Sequence, residues 1–332
     1  MRSLLSAALL VPLAQIASCG VKKMENLVLF GDSYTDEGRL GYFINNNGSA
    51  PPAGQLLPES TSTASGGAVW GRFIAQKSGA KLLDYAVSGA TCSNKIVQRD
   101  FSLIHQPFPS VKEYEVPAYE ADLKFAAELY TNGMKAENTV YGLWIGTNDL
   151  GAGAILTDTN AAGTTITDYV DCVWGVFDSV YKSGGRHFVL MNTVPLELSP
   201  MYNVPELGGT PGDSQFWQNK TAYNVTEYKY KIKEYTTSVN TMFRYGVPFQ
   251  SVVEKRWPGA TVQLFDVHSL IMDMIATPEK YFSAPANVTG YYHVCNPADN
   301  SKCVDSKNDM ATFLWYDELH PSERTGRFQF LI

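Results

Sequence analysis

With 332 residues, 45% of them hydrophobic, the chain can bury a large core, and α/β domains of this size are commonly single. Only 18% of residues are charged, the formal net charge is −7, and basic clusters are absent. That balance argues against a nucleic-acid partner and fits a neutral or weakly charged substrate.

Residues 1–20 begin with Arg2 and continue through Leu4, Leu5, Leu9, Leu10, Val11 and Leu13 to small residues, the pattern of a secretory signal peptide. The apolar run is too short to span a bilayer and no second one follows, so stable membrane insertion is not expected. The stretch before Cys19-Gly20 also fits a bacterial lipoprotein box, the lesser reading here. Residues 21–332 are expected to form a single domain. From there, apolar runs that read as buried parallel strands alternate with helical patterns. A strand at 27–30 ends in Gly31-Asp32-Ser33, and a helix is expected at 69–78. A strand at 82–87 runs into Ser88-Gly89, and Leu123, Ala126, Ala127 and Tyr130 mark a helix over 118–130. A strand at 140–145 ends in Gly146-Thr147-Asn148-Asp149. Val170, Val173, Trp174, Phe177 and Val180 form the buried stripe of a helix over 166–182. Strands at 187–192 and 262–267 and helices at 223–245 and 269–276 complete the alternation. Such a pattern argues for a parallel sheet covered on both faces. The fold expected is α/β, a flavodoxin-like three-layer sandwich with a central parallel five-stranded sheet. Loops at 45–65 and 194–215, rich in Pro, Gly and small polar residues, are expected to wall a pocket.

Ligands gather at the carboxyl ends of strands in such sheets, and Ser33, Gly89 and Asn148 each follow one. Serine needs an imidazole to take its proton, and the imidazole needs an acceptor to fix its tautomer. Asp317 and His320, three residues apart, can bring both side chains to one side. The N–H groups of Ser33 and Gly89 and the Asn148 amide could then hold a tetrahedral oxyanion. Each residue alone has a duller reading: Ser33 and Asn148 as helix caps, Gly89 as a turn residue, Asp-x-x-His as a surface turn. Four in this order are harder to dismiss. Asp36 and Asp149 read as caps or orienting groups. His187 reads as a strand residue and His105 and His293 as loop residues, while His268 after Asp266 is the competing base. Tyr34, Tyr42, Trp70 and Trp315 could stack on a sugar, though core packing is the commoner role for any one of them.

Removing residues 1–20 leaves Cys92, Cys172, Cys295 and Cys303. In an oxidising compartment an even number suggests disulfides. Cys295 with Cys303 closes a short polar loop and is the favoured pair; Cys92 with Cys172 follows by elimination. The spacings fit no zinc site, so no metal is expected. Sequons at Asn47, Asn219, Asn224 and Asn287 point with the signal to a secreted, extracellular glycoprotein.

The four blocks together resemble the GDSL, or SGNH, hydrolase superfamily, over roughly residues 27–327. The strings at 86–94, 145–151 and 317–323 are similar to fungal acetylesterases of carbohydrate esterase family sixteen. That resemblance implies a catalytic Ser33, Asp317 and His320 and an oxyanion hole of Ser33, Gly89 and Asn148. It implies a serine esterase that takes acetyl groups from plant cell-wall oligosaccharides, with no cofactor. Members continue past the histidine into a full closing helix, whereas this chain stops at Ile332, so either a short last helix or a truncated sequence is expected. A lipase or phospholipase of the same superfamily would use the same catalytic parts, and a non-catalytic secreted binding protein could share the fold. An α/β-hydrolase is set aside, because no Gly-x-Ser-x-Gly string occurs.

Overall fold

The computed structural model describes residues 23–328; the expected signal segment 1–20 lies outside them. Five strands form one parallel sheet: β1 Asn26–Gly31, β2 Lys81–Asp84, β3 Thr139–Trp144, β4 His187–Met191 and β5 Thr261–Phe265, in the order β2-β1-β3-β4-β5. This is the expected flavodoxin-like arrangement. Every residue of β1 and β3 is buried, which is why both read as unbroken apolar runs instead of alternating ones.

Successive side chains of β1 serve opposite layers. Leu29 rests under Gly71 of the helix α1, Trp70–Ser78, while Phe30 meets Tyr119 of α2, Val116–Asp122, edge to face at 5.6 Å. On that second layer Phe188 of β4 stacks on Phe177 of α3, Ile166–Lys182. Helix α3 begins where expected because Thr165 and Asp168 form a reciprocal capping box. Helix α4, Val225–Pro248, packs on α3 through Trp174 and Phe243, and α5, Val267–Ala276, follows β5 directly.

Among the boundaries that differ from expectation, three have a visible cause. The 118–130 helix is broken: a π turn at Val111–Glu115 leads into α2, which ends at Asp122, and a separate turn covers Ala126–Leu129. Strand β2 ends at Asp84, whose carboxylate accepts from the N–H groups of Ala86 and Glu37, although Tyr85 N–H and Val87 N–H still reach the Leu29 and Gly31 carbonyls of β1. Strand β5 stops at Phe265 because Asp266 caps α5 through Ser269 N–H. Disulfides join Cys92 to Cys172 and Cys295 to Cys303. The first ties the loop after β2 to α3, and the second closes the turn between strands His293–Asn296 and Asp299–Asp305. Asn47, Asn219 and Asn224 are exposed, and Asn287 is half-buried at the start of a short strand.

Candidate active site

The carboxyl edge of β1, β2 and β3 carries Ser33, Gly89 and Asn148, and the chain after strand Phe313–Trp315 brings Asp317 and His320 over it. Gly31 makes the first approach possible. Its φ is +151°, and a Cβ there would sit 2.2 Å from the Trp144 carbonyl oxygen, so only glycine lets β1 end against β3 before Ser33. Tyr34 then clamps the far segment, donating its hydroxyl to the Leu319 carbonyl at 2.9 Å while its ring packs edge-on to His320.

His320 Nε2 lies 2.7 Å from Ser33 Oγ, and its Nδ1 lies 2.8 Å from both Asp317 oxygens. With Nδ1–H donated to the carboxylate, Nε2 is left to accept the serine proton. Asp317 Oδ1 also accepts from the N–H groups of Leu319 and His320, so the turn that sets the spacing fixes the carboxylate as well. All three side chains are buried. Burial works against a charged His320 ring, but the charge and hydrogen bond of Asp317 outweigh it and hold the pKa above the ordinary imidazole value.

The loop after β2 is organised by carboxylates from elsewhere. Glu115 accepts from Gly31 N–H and Val87 N–H, Asp36 from Ser88 N–H, and Asp149 from Cys92 N–H. Asp36 also accepts from the N–H groups of Gly38, Arg39 and Leu40, which matches its reading as a cap. Among the described residues, the N–H groups of Ser33 and Gly89 have no acceptor. The Asn148 amide, in the helical turn Thr147–Leu150, gives one hydrogen to the Ala90 carbonyl at 3.0 Å and keeps the other. Gly89 has φ +92°, and a Cβ there would press on the Phe108 ring at 3.2 Å. The structure therefore brings all five expected residues to one rim.

Burial lifts the carboxyls of Asp32 and Asp149 to about 7. Each keeps one oxygen without a protein partner among the described residues.

A cleft of about 500 Å³ opens at this rim. Ala64 comes from the first expected wall loop, and Met201, Tyr202 and Gln215 come from the second. Tyr34, Trp70 and Trp315 are core residues, the role favoured for each from the sequence, and Tyr42 does not line the cleft. Phe108, Tyr202, Phe216 and Tyr316 line it instead. His293 also lines it, as a strand residue stacked on Tyr316, in place of the expected loop position. Phe216 packs edge-on to His320 at 5.1 Å and is anchored by its N–H to Glu318. His268, the rival base, starts α5 and lies outside this cleft, and His187 is tied to Thr261 across the sheet. The one His/Cys/Asp/Glu grouping among the described residues with metal-ligand proximity is His293 with Cys295 and Cys303, and its sulfurs are spent in the disulfide.

A buried serine, imidazole and carboxylate in hydrogen-bonded series beside unpaired N–H donors, on the edge of a parallel five-stranded sheet, define a carboxylic ester hydrolase. The description "GDSL-like Lipase/Acylhydrolase" belongs to the family model that matches residues 27–330, and the chain is a member of that family. It is 49% identical over 296 residues to an acetylesterase of Hypocrea jecorina, covering 89% of this chain and 84% of that one. It is 28% identical over 198 residues to an acetylesterase of Thermothelomyces thermophilus (58% and 61% covered). It is 24% identical over 332 residues to the GDSL esterase/lipase EXL4 of Arabidopsis thaliana, with 91% and 88% covered.

Proposed function

We propose that the chain is a secreted acetylesterase that removes acetyl groups from plant cell-wall oligosaccharides such as acetylated xylo-oligosaccharides, through an acyl-enzyme. The observation that carries the reading is the Ser33–His320–Asp317 series at 2.7 and 2.8 Å facing two free N–H groups and a free amide hydrogen. In the cycle, His320 takes the Ser33 proton as Oγ attacks the acetyl carbonyl. The oxyanion rests on Ser33 N–H, Gly89 N–H and Asn148 Nδ2. His320 returns the proton to the departing sugar hydroxyl, then activates the water that releases acetate.

The acetylesterases among its relatives and the Phe108 ring against Gly89 support a short acyl group. Residues 1–20 as a signal peptide, 21–332 as one SGNH-hydrolase domain, two disulfides and four sequons support secretion as a glycoprotein. The test is hydrolysis of p-nitrophenyl esters of increasing chain length, together with mass profiles of acetylated xylo-oligosaccharides before and after treatment. Acetate preferred and Ser33→Ala inactive is the expected result. A preference for long acyl chains would point to the lipase reading, and turnover by Ser33→Ala would remove the nucleophile.

A further inference from the structure

Arg99 is not used by the cycle above, yet it touches two parts of the expected oxyanion hole. It comes from the segment between the Gly89 turn and the π turn, and its side chain reaches back into the cleft. Its Nη1 donates to Asn148 Oδ1 at 2.9 Å and to the Gly89 carbonyl at 3.1 Å.

An asparagine amide offers one oxygen and two hydrogens, and the two ends are nearly the same size. A donor role for Asn148 therefore requires that something hold the nitrogen toward the cleft. Two contacts do so. Arg99 takes the oxygen, the Ala90 carbonyl takes one hydrogen at 3.0 Å, and the second hydrogen alone is left over. The bond to the Gly89 carbonyl acts on the neighbouring donor. Asp36 holds the Val87–Ser88 peptide through Ser88 N–H, Arg99 holds the Gly89–Ala90 peptide through its carbonyl, and the peptide between them carries the Gly89 N–H. Gly89 sits at φ +92°, a conformation with no side chain to restrain it, so these two anchors fix where its N–H points. One guanidinium thus ties donors from two separate strand ends, β2 and β3, into a single rigid unit. Its positive charge sits beside these donors at the cleft, where it favours the negative charge that develops there.

We propose that Arg99 is the positioning residue of the oxyanion hole, locking the Asn148 amide and the Gly89 turn in donor geometry for the transition state. This rests on the catalytic reading given above. Because it acts on groups that bind the oxyanion and not the ground-state ester, its removal lowers kcat and leaves KM nearly alone.

The experiment measures kcat, KM and melting temperature on p-nitrophenyl acetate for Arg99→Ala, Asn148→Ala and the double variant. Arg99→Ala is expected to lose about 10–100-fold in kcat, less than the 10²–10³ of a direct donor, with KM within about twofold. In the Asn148→Ala background the same change should cost clearly less than in the wild type, since one of the two donors it positions is gone and only the Gly89 turn remains to be loosened. Added guanidinium ion should restore part of the kcat of Arg99→Ala, a recovery that a merely structural defect would not give. Wild-type kcat in Arg99→Ala, a full multiplicative loss in the double variant, or a raised KM with kcat intact would each overturn the proposal. If Arg99→Ala melts far below the wild type, Arg99→Met, which keeps bulk but has no donor and no charge, is read by the same criteria. Asn148→Ala retaining full kcat would instead sink the oxyanion hole itself, a separate failure.

Discussion

Asp317→Asn asks whether the carboxylate sets the tautomer of His320. Asp317 Oδ1 accepts from Leu319 N–H at 2.9 Å and His320 N–H at 2.8 Å, while both oxygens face Nδ1. An asparagine that keeps the two backbone bonds with its single oxygen turns its NH₂ toward Nδ1. Nδ1 must then accept, the ring proton moves to Nε2, and Nε2 can no longer take the Ser33 proton. The turn survives because its N–H groups stay satisfied, so the variant should melt near the wild type. In the Ser-His-Asp template this wrong-tautomer change costs about 10⁴ in kcat, or about 5.5 kcal/mol at the transition state. The pH profile carries a second signature. Burial lowers the His320 pKa, and Asp317 reverses that and raises it. A general base works deprotonated, so wild-type kcat/KM falls as pH drops through the raised pKa. With asparagine the main raising cause is gone, and the acid limb of the residual activity moves to lower pH. Turnover of p-nitrophenyl acetate across about pH 4 to 9 reads both effects. A kcat within tenfold of wild type, or an acid limb that stays or moves upward, would refute the reasoning.

Three further outcomes follow from the same contacts. Glu318→Ala removes the acceptor of Phe216 N–H and frees the wall beside His320. KM for an acetylated oligosaccharide should rise about tenfold, the order of one charge-assisted hydrogen bond, and an equal fall in kcat would contradict this. Asp149 titrates near 7 through burial, above its ordinary 3.8, so the stability tied to it is complete below about pH 4 and is lost as pH rises to about 7. Thermal melting of Asp149→Asn should decline less over that window than the wild type, and parallel curves would discount the buried carboxyl. The Cys92–Cys172 bond spans 80 residues and Cys295–Cys303 spans 8. Loop-closure entropy then predicts losses of roughly 4.5 and 2.6 kcal/mol for the respective double Ala variants, measured by denaturant unfolding.

The residues that stand on strand ends were legible because strand and motif are contiguous: an apolar run, then Gly31-Asp32-Ser33, or Gly146-Thr147-Asn148. The 166–182 helix was legible to its ends because its stripe and its Thr165–Asp168 box are local. What stayed hidden depends on partners far away in sequence. Glu115 carries no motif, and its meaning lies in N–H groups 84 and 28 residues distant. It is the last residue of the π turn that leads into α2, ahead of the expected start of the 118–130 helix. Arg99 is likewise one unremarked cation until Asn148, 49 residues on, comes beside it. The cleft aromatics Phe108, Tyr202, Phe216 and Tyr316 went unnamed for a related reason. Tyr34, Trp70 and Trp315 lie near motifs in sequence, and the motif strands are the centre of the core, so neighbours of a motif are buried with it.

The carboxylates around the Gly89 turn explain how an edge of exposed backbone becomes a rigid donor array. Where parallel strands run out, their N–H groups lose ladder partners and ordinarily turn to water. Here Glu115, Asp36 and Asp149 take the N–H groups of Gly31, Ser88 and Cys92, and Glu115 shares that of Val87 with the Gly31 carbonyl. Water would satisfy those groups equally well but would leave the turn free to move. Burial makes such acids expensive as anions, and Glu115 is held well above the usual carboxylate range for that reason. The cost in stability is the counterpart of having Ser33 N–H and Gly89 N–H unpaired at the rim of the cleft. Substituting Glu115 by Gln keeps an acceptor for one N–H but offers its NH₂ to the other. Kcat should therefore fall while the unfolding free energy changes little or rises, and a large stability loss with kcat intact would show that the acid serves the core and not the donors.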